Sequence, residues 1–212
     1  MHQPRHFVAP DRAAMLELMD AFPLAAIVVA DGDGFEVNHV PLLAMAGEGD
    51  ALVLRGHVAR GNPLARMAAD GRQAVAIFGG EQHYVSPGWY PSKAEHGRVV
   101  PTWNYRVVHA HGAIRAEHDA DWLRGLVASL TARHERDLAV PWRVEDAPSD
   151  YLAQMLRGIV GIEIAVTRLE GKWKLSQNRV STDRAGVVAG LRTLGNEAAR
   201  AMADQVDVDD LS

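Results

Sequence analysis

The stretch LAAIVVADGDGFEVNHVPLL, residues 24–43, decides the fold class. Residues 24–30 form a continuous apolar run of strand length, and DGDG at 31–34 is typical of a tight turn. In the segment that follows, Phe35, Val37 and His39 share one face of a strand, because strand side chains alternate with a period of two. The stretch therefore predicts an antiparallel β-hairpin.

Strand and helix signals continue on both sides of this hairpin. Further strands are predicted at 51–58, 72–78, about 102–117, 160–171 and 172–179, with Gly79–Gly80 breaking the second of them. Helices are predicted at 11–19, 62–71, 119–137, 147–159, 183–195 and 196–203. Because no repeat or low-complexity linker interrupts the chain, we predict one α+β domain over residues 1–212. It would be an antiparallel β-barrel with peripheral helices and a C-terminal helical extension.

The composition excludes several classes of protein. The chain has no cysteine, which removes disulfides, thiolate nucleophiles and cysteine-based metal sites. Its net charge of −5 and its acidic C-terminus argue against non-specific binding to nucleic acid. No apolar run approaches the roughly 18 residues that span a bilayer, and the N-terminus lacks the pattern of a signal peptide. We therefore expect a cytoplasmic protein that does not enter a membrane.

The segment HYVSPGWYPSKAEHGRVVPTWNYRVVHAH, residues 83–111, holds the densest cluster of unusual side chains. Five of the 13 aromatic residues lie in its first 23 positions, namely Tyr84, Trp89, Tyr90, Trp103 and Tyr105. Core packing alone does not require this concentration, which favours a platform for a flat ligand. A rigid loop that seals one end of the barrel, or that forms a dimer contact, is the alternative.

A second candidate segment, LRGHVARGNPLAR at 54–66, joins a strand to a short helix. This junction offers His57, Arg60 and Asn62. A cationic side chain together with the free N–H groups of a helix start favours a phosphate. The alternative is structural, because Asn62 is a suitable N-cap and an arginine at such a junction is often only solvated.

A third candidate segment, GKWKLSQNR at 171–179, alternates polar and apolar side chains. As a strand it would place Lys172, Lys174, Ser176 and Asn178 on one polar, cationic face. A solvated edge strand has the same pattern, because lysines there prevent pairing with another chain.

Two histidines, His109 and His111, also share a strand face, as metal ligands can. No third ligand can be assigned to them, and the sequence contains no HExxH motif. The sequence therefore predicts no metal site and gives these histidines a structural role. No GxSxG, Rossmann or P-loop signature indicates a catalytic residue.

Five blocks in order along the chain resemble the PaiB family, which is described as FMN-binding negative transcriptional regulators. That family belongs to the FMN-binding split-barrel group, together with the pyridoxamine-phosphate-oxidase-like flavoproteins. The blocks are HVPLL (39–43), LRGHVARGNPLAR (54–66), HYVSPGWYPSK (83–93), VPTWNYRVVHAHG (100–112) and GKWKLSQNR with DRAGVVAGL behind it (171–191). Five blocks in register are far more specific than any one of them.

The resemblance implies a six-stranded split barrel that forms a homodimer and binds FMN at the subunit interface. It implies phosphate contacts from His57, Arg60 and Asn62. It implies contacts to the ribityl chain or the isoalloxazine ring from Ser86, Trp89, Tyr90, Lys93, Trp103 and Asn104. Lys174, Gln177 and Asn178 would close the site, from the same subunit or from the other.

Three functions follow from these observations. In the first, the bound flavin supplies redox chemistry, and the protein is a negative transcriptional regulator or a flavin-dependent oxidoreductase. In the second, the protein is a DNA-binding regulator without a cofactor. Its reader would be the helical pair at 183–203, but the second helix carries only Arg200 before an acidic tail, which argues against direct DNA contact. The third is a haem-binding or haem-degrading split-barrel protein with a histidine ligand.

Overall fold

The structure is a computed structural model that describes residues 1–47, 49 and 51–206. Its strands are β1 (Leu24–Asp31), β2 (Gly34–Pro41), β3 (Leu43–Ala46), β4 (Leu52–Ala59), β5 (Gln73–Val85), β6 (Thr102–Glu117) and β7 (Ile159–Lys174). Its helices are α1 (Arg12–Ala21), α2 (Pro63–Ala69), α3 (Ser92–His96), α4 (Ala120–Glu135), α5 (Ser149–Arg157), α6 (Ser181–Thr193) and α7 (Glu197–Ala203). Within these residues, no helix has the length and apolar character that crossing a bilayer would need.

The predicted hairpin is present as β1 and β2. The two strands pair antiparallel along their whole length, from Leu24 opposite Pro41 to Asp31 opposite Gly34. The loop between them has two residues, and Gly32 adopts a left-handed φ of 57° there. Glycine tolerates this conformation because it has no Cβ, so the DGDG turn predicted from the sequence follows from backbone sterics.

Among the described residues, the sheet has seven strands in the order β2-β1-β5-β6-β7-β4-β3. The β1–β5, β3–β4 and β4–β7 pairs are antiparallel. The implied count of six strands is therefore wrong. The predicted strand over 35–43 ends at Pro41, because proline has no N–H to continue the ladder. The chain then pairs at the far edge of the sheet as a separate strand, β3, next to β4.

Two predicted strand boundaries are also wrong, and close packing at glycine explains both. The strand β5 continues through Gly79 and Gly80 to Val85. At Gly80 a Cβ would lie 2.9 Å from Leu18 Cδ1, so this glycine serves a close approach and does not end the strand. The predicted break between strands 160–171 and 172–179 is absent, because β7 runs through it to Lys174, and Gly171 within β7 packs against Met15.

The chain forms two compact units, each assembled from separate segments. Unit 1 comprises Met1–Ala21, Gly79–Val108 and the chain from Glu170 onward, and unit 2 comprises Phe22–Phe78 and His109–Leu169. The core of unit 1 includes Leu18, Met19, Val85, Val108, Val187, Leu191 and Met202. The core of unit 2 includes Ile27, Leu54, Phe78, Ile114, Leu123, Ile162 and Ile164.

Candidate functional site

A turn after β7 gathers polar side chains in unit 1. The strand ends at Lys174, and the Gln177 side chain then folds back on its own backbone. Its Nε2 donates to the Trp173 carbonyl at 2.6 Å, and its Oε1 accepts from the Leu175 N–H at 2.7 Å. Ser176 has a left-handed φ of 68° in this turn. The polar face expected from strand alternation is thus replaced, beyond Lys174, by a turn that Gln177 stabilises.

A buried pair of side chains joins this turn to β6. Asn104 is completely buried and Ser176 is 3% exposed. Asn104 Nδ2 donates to Ser176 Oγ at 3.0 Å, and Ser176 Oγ lies 3.2 Å from Asn104 Oδ1, to which it can donate in return. Each group thereby finds a partner, which is the condition for burying an amide and a hydroxyl at low cost.

Lys174 brings a positive charge to the same place. Its Nζ donates to the Trp103 carbonyl at 3.0 Å and to the Thr102 hydroxyl. Burial lowers the pKa of the Lys174 ammonium, and the positive charge of Lys172 lowers it further. An ammonium has three N–H donors, so these two contacts leave one donor for a ligand.

Tyr90 and Arg179 complete this group of side chains. Tyr90 is 2% exposed, and the guanidinium carbon of Arg179 lies 4.7 Å from the centroid of its ring. This is the stacked arrangement of a cation on an aromatic face. Burial raises the pKa of the Tyr90 phenol, although the charge of Arg179 opposes this shift, so the phenol is neutral near pH 7.

These side chains line one cleft of about 90 Å³. Its lining consists of Tyr90, Val100, Pro101, Thr102, Asn104, Lys174, Ser176, Asn178 and Arg179. Four residues that the sequence predicts for the site, Tyr90, Asn104, Lys174 and Asn178, are therefore brought together. The lining offers two cations, two amides and two aliphatic hydroxyls but no carboxylate. This donor set fits an oxyanion or a polyhydroxylated chain.

Trp103 and Tyr84 form an exposed aromatic pair beside the cleft. Trp103 is 47% exposed and Tyr84 is 43% exposed, and their ring centroids lie 6.2 Å apart in an edge-to-face arrangement. Trp103 Nε1 donates to Gln82 Oε1 at 3.2 Å, which fixes the indole. Because the Trp103 carbonyl also accepts from Lys174, the pair is tied to the cleft. Two adjacent exposed rings suit a flat ligand or a second protein surface.

Three other predicted contacts in the aromatic segment do not line the cleft. The Trp89 indole lies on Gly190 of α6, where a Cβ would be 2.6 Å from Trp89 Cδ1. Ser86 Oγ accepts from the Gly88 N–H at 3.1 Å and caps a short 3-10 turn. Lys93 is exposed on α3 and is not among the residues that line the cleft. Their assignment as cofactor contacts stays a prediction.

The residues predicted to bind phosphate lie in unit 2. Burial lowers the pKa of His57, which is therefore neutral near pH 7, and its buried Nδ1 has no hydrogen-bond partner among the described residues. Asn62 Oδ1 accepts from the Leu64 N–H at 2.8 Å, and its Nδ2 donates to Asn38 Oδ1 at 2.6 Å. Asn62 is thus the N-cap of α2, as expected if its role is structural.

Arg60, the third predicted phosphate residue, binds backbone carbonyls. Its Nε donates to the Arg157 carbonyl at 2.7 Å, and its Nη2 donates to the Ile159 carbonyl at 3.3 Å. Arg60 therefore satisfies the last carbonyl of α5, where the helix dipole is negative, and the first carbonyl of β7. Its role as a phosphate contact stays a prediction.

Sequence reasoning missed two residues that shape the cleft. Arg179 lay within a predicted strand, on the face away from the lysines, and only the turn beyond Lys174 brings it to Tyr90. Asp183 is 2% exposed and accepts from the Ser92 N–H at 3.1 Å and the Ser92 hydroxyl at 2.7 Å. Through these bonds it anchors the segment that carries Tyr90. No local pattern marks Asp183, because its partner lies 91 positions away.

The profile of the family described as "Putative FMN-binding domain" matches residues 1–168. The chain belongs to this family. A relative in Bacillus subtilis strain 168, the protease synthase and sporulation protein PAI 2, is 28% identical over 209 residues, which is 98% of this chain and 97% of that protein. The predicted resemblance to the PaiB family is thereby confirmed.

Other relatives and solved structures extend this family assignment. An uncharacterized protein of Emericella nidulans is 35% identical over 180 residues, or 73% of this chain and 72% of that protein. The structure of the FAD and heme binding protein from Mycobacterium smegmatis matches with a TM-score of 0.56 at 18% identity. The match covers 78% of this chain and 72% of that chain. The structure of the flavocytochrome Anf3 from Azotobacter vinelandii matches with a TM-score of 0.57 at 16% identity, and the match covers 81% of this chain and 72% of that chain. These two structures bear on the fold alone and confirm the predicted α+β split-barrel class.

Proposed function

We propose that the protein binds FMN and that the unit 1 cleft holds the polar end of this cofactor. The observation that carries the proposal is the buried Asn104–Ser176 pair, because it places an amide and a hydroxyl beside the cations Lys174 and Arg179 in one cleft. The fold itself does not require such a concentration of polar groups. Membership of a family described by FMN binding supports the choice of ligand.

The charges in the cleft match the phosphate of FMN, which carries about two negative charges. Lys174 and Arg179 supply two positive charges, and the amide of Asn178 is exposed beside them. Charge-assisted hydrogen bonds from such groups are the strongest that a protein offers to a phosphate. We therefore place the phosphate at the Lys174–Arg179 end of the cleft.

The size of the cleft supports a homodimer. A volume of about 90 Å³ is well below the roughly 300 Å³ at which small-molecule pockets begin, so the isoalloxazine ring must lie outside the cleft. The exposed rings of Trp103 and Tyr84 provide a surface for it. We propose that a second copy of the chain covers the other face of the flavin.

An exposed apolar sheet face in unit 2 also supports self-association. Phe35 is 74% exposed, Leu24 is 59% exposed and Val37 is 51% exposed. They belong to the paired strands β1 and β2, and Val37 lies directly opposite Val28 on the same side of the hairpin. Contiguous apolar surface of this kind usually marks an interface.

When bound, the flavin supplies the redox chemistry, and the residues of this chain bind and orient it. We propose a cytoplasmic protein of PaiB type whose regulatory effect runs through the flavin and not through direct DNA contact. The helical pair α6–α7 supports this view, because Arg192 pairs with Asp204 at 3.5 Å and Arg200 donates to the Gly195 carbonyl at 2.8 Å. Both arginines thus already have partners within the helical pair, which argues against contacts to the phosphates of DNA.

The test begins with the absorption spectrum of the freshly purified protein, followed by titration with FMN. A flavin band and binding well below millimolar FMN support the proposal, and no binding up to millimolar FMN would reject it. A Soret band would indicate haem instead. Salt-dependent binding to duplex DNA by the cofactor-free protein would favour the DNA-binding alternative.

Substitutions locate the phosphate when FMN is compared with riboflavin, which lacks it. Lys174→Ala should weaken FMN binding about 10- to 100-fold and leave riboflavin binding nearly unchanged, because only the phosphate loses its cation. Lys172→Ala is the matched control for loss of nearby charge, and it should weaken FMN binding much less, since Lys172 lies two residues away on β7 and acts on Lys174 through its charge but does not line the cleft. A loss confined to FMN in Arg60→Ala, with none in Lys174→Ala, would instead place the phosphate at the 57–62 segment.

A further inference from the structure

A second concave site lies in unit 2, in a groove between α4 and α5. Its volume is about 300 Å³, at the lower end of the range for small-molecule sites. Leu123 and Ala120 on α4, with Leu156 and Ala153 on α5, give it apolar walls. The groove shares no lining residue with the unit 1 cleft.

Positive charge is concentrated around this groove. Arg60, Arg124 and Arg157 line it against a single carboxylate, Asp121, which leaves an excess of two positive charges before His118 is counted. The whole chain, in contrast, has a net charge of −5. Like charges gathered in one concave site repel one another and attract an anion.

The arginines differ in how they are held. Arg60 is fixed by its bonds to the Arg157 and Ile159 carbonyls, so its guanidinium is positioned before any ligand arrives. Arg124 and Arg157 form no ion pair or side-chain hydrogen bond among the described residues. Scattered surface arginines need no explanation, but three arginines that line one half-apolar groove with a single carboxylate between them do.

We propose that this groove binds a small organic anion, with an oxyanion head held by the arginines and a compact apolar body against Leu123 and Leu156. The planar guanidinium group presents paired N–H donors that match a carboxylate or a phosphate head. Burial of the apolar body supplies affinity that an inorganic anion would lack. The ligand is additional to the proposed FMN, so this inference does not depend on flavin binding.

Isothermal titration of the purified full-length protein with octanoate, octyl phosphate and octanol tests the inference. Octanoate or octyl phosphate should bind at submillimolar concentration, and octanol, which has the same body without the charge, should bind at least about tenfold more weakly. The tighter of the two anions identifies the head group. Failure of both anions to bind at about 10 mM, or equal binding of octanol, would overturn the inference.

Substitutions on the two helices assign the site. Arg124→Gln and Arg157→Gln should each weaken binding of the anion about tenfold. Arg66→Gln is the matched control, because Arg66 is an exposed helical arginine of the same unit that does not line the groove. Unchanged affinity in both groove variants would contradict the proposal, even if the anion binds.

Saturating FMN separates this site from the proposed flavin site. Octanoate should bind equally well with and without FMN. If FMN displaces octanoate, and the groove variants also lose FMN, then the groove holds the flavin phosphate and the inference of a second ligand is wrong. Failure of FMN binding alone would reject the proposed function and leave the octanoate result intact.

Discussion

The side chains of Asn104 and Ser176 are hydrogen-bonded to each other in the interior of unit 1, at 3.0 Å from Nδ2 to Oγ. Asn104 comes from the start of strand β6, and Ser176 comes from a turn with left-handed backbone. One amide–hydroxyl contact therefore helps to fix the position of the turn that follows Lys174 and carries Arg179. The stability of the turn and the binding of a ligand should depend on the same pair.

Removal of the Asn104 amide should destabilise the protein. Asn104→Ala leaves the buried Ser176 hydroxyl without its partner, at a cost of about 1–3 kcal/mol in the free energy of unfolding. Urea denaturation measures this change. Ser176→Gly should be less destabilising than Ser176→Ala by about 1 kcal/mol, because only alanine retains the cost of a left-handed φ. Equal stability of the two Ser176 variants would contradict the backbone conformation described for the turn.

The packing of Trp89 on α6 should make Gly190 intolerant of a side chain. A Cβ there would overlap the indole, so Gly190→Ala should lower the free energy of unfolding by about 1–3 kcal/mol. Gly125→Ala is the matched control on α4, where a Cβ meets nothing within 4 Å. That substitution should stabilise the protein by about 0.5–1 kcal/mol, through helix propensity alone. Two changes of the same sign in thermal unfolding would refute the contact.

The affinity for FMN should fall as the pH rises, and the fall should begin at a lower pH than the one at which lysine usually loses its proton. Burial lowers the pKa of Lys174, so its ammonium loses its proton before an exposed lysine would. Fluorescence titration with FMN from about pH 7 to about 10 should show this loss. Lys174→Arg should retain its affinity over the same range, because a guanidinium stays charged. Parallel pH profiles for the two proteins would exclude Lys174 as the titrating contact.

His57 should make the protein less stable in acid. Its folded-state pKa is lowered by burial, so the unfolded chain binds more protons between that pKa and about 6.5. Stability therefore rises with pH in this window and is lost as the pH falls through it. His57→Gln removes the titration, so its free energy of unfolding relative to the wild type should increase as the pH falls from about 7 to about 5. A constant difference over that range would show that His57 does not titrate differently on folding.

Much of the fold could be predicted because it rests on local signals. The apolar run at 24–30, the glycine turn at 31–34 and the alternation that follows predicted the first hairpin, and the long strand at Thr102–Glu117 agrees with the prediction at both ends. Two of the errors arose where tertiary packing selects glycine. Gly80 and Gly171 resemble strand breakers in sequence, but each lies inside a strand. Glycine is required at both positions because a neighbouring side chain leaves no room for a Cβ.

The candidate site was harder to predict, for a different reason. Strand periodicity correctly grouped Lys172 with Lys174, but it failed beyond Lys174, where Ser176 turns the chain. Arg179 was missed for that reason. Distance along the chain hid the partners of the buried groups, since Ser92 and Asp183 are separated by 91 positions. The aromatic segment was identified by composition, but composition could not distinguish the packed Trp89 from the exposed Trp103.

Gly186 and Gly190 lie one turn apart on α6, and because neither has a Cβ, the chain around Trp89 can pack closely against the helix there. A Cβ at Gly186 would lie 3.0 Å from Pro91 Cδ, just as one at Gly190 would strike the indole. Trp89, Gly186 and Gly190 therefore pack against one another, although the tryptophan lies about a hundred positions before the two glycines. In aligned relatives they should co-vary. A chain that carries a larger residue at either glycine should have lost the tryptophan, and this triplet gives a criterion for sorting homologues into subgroups.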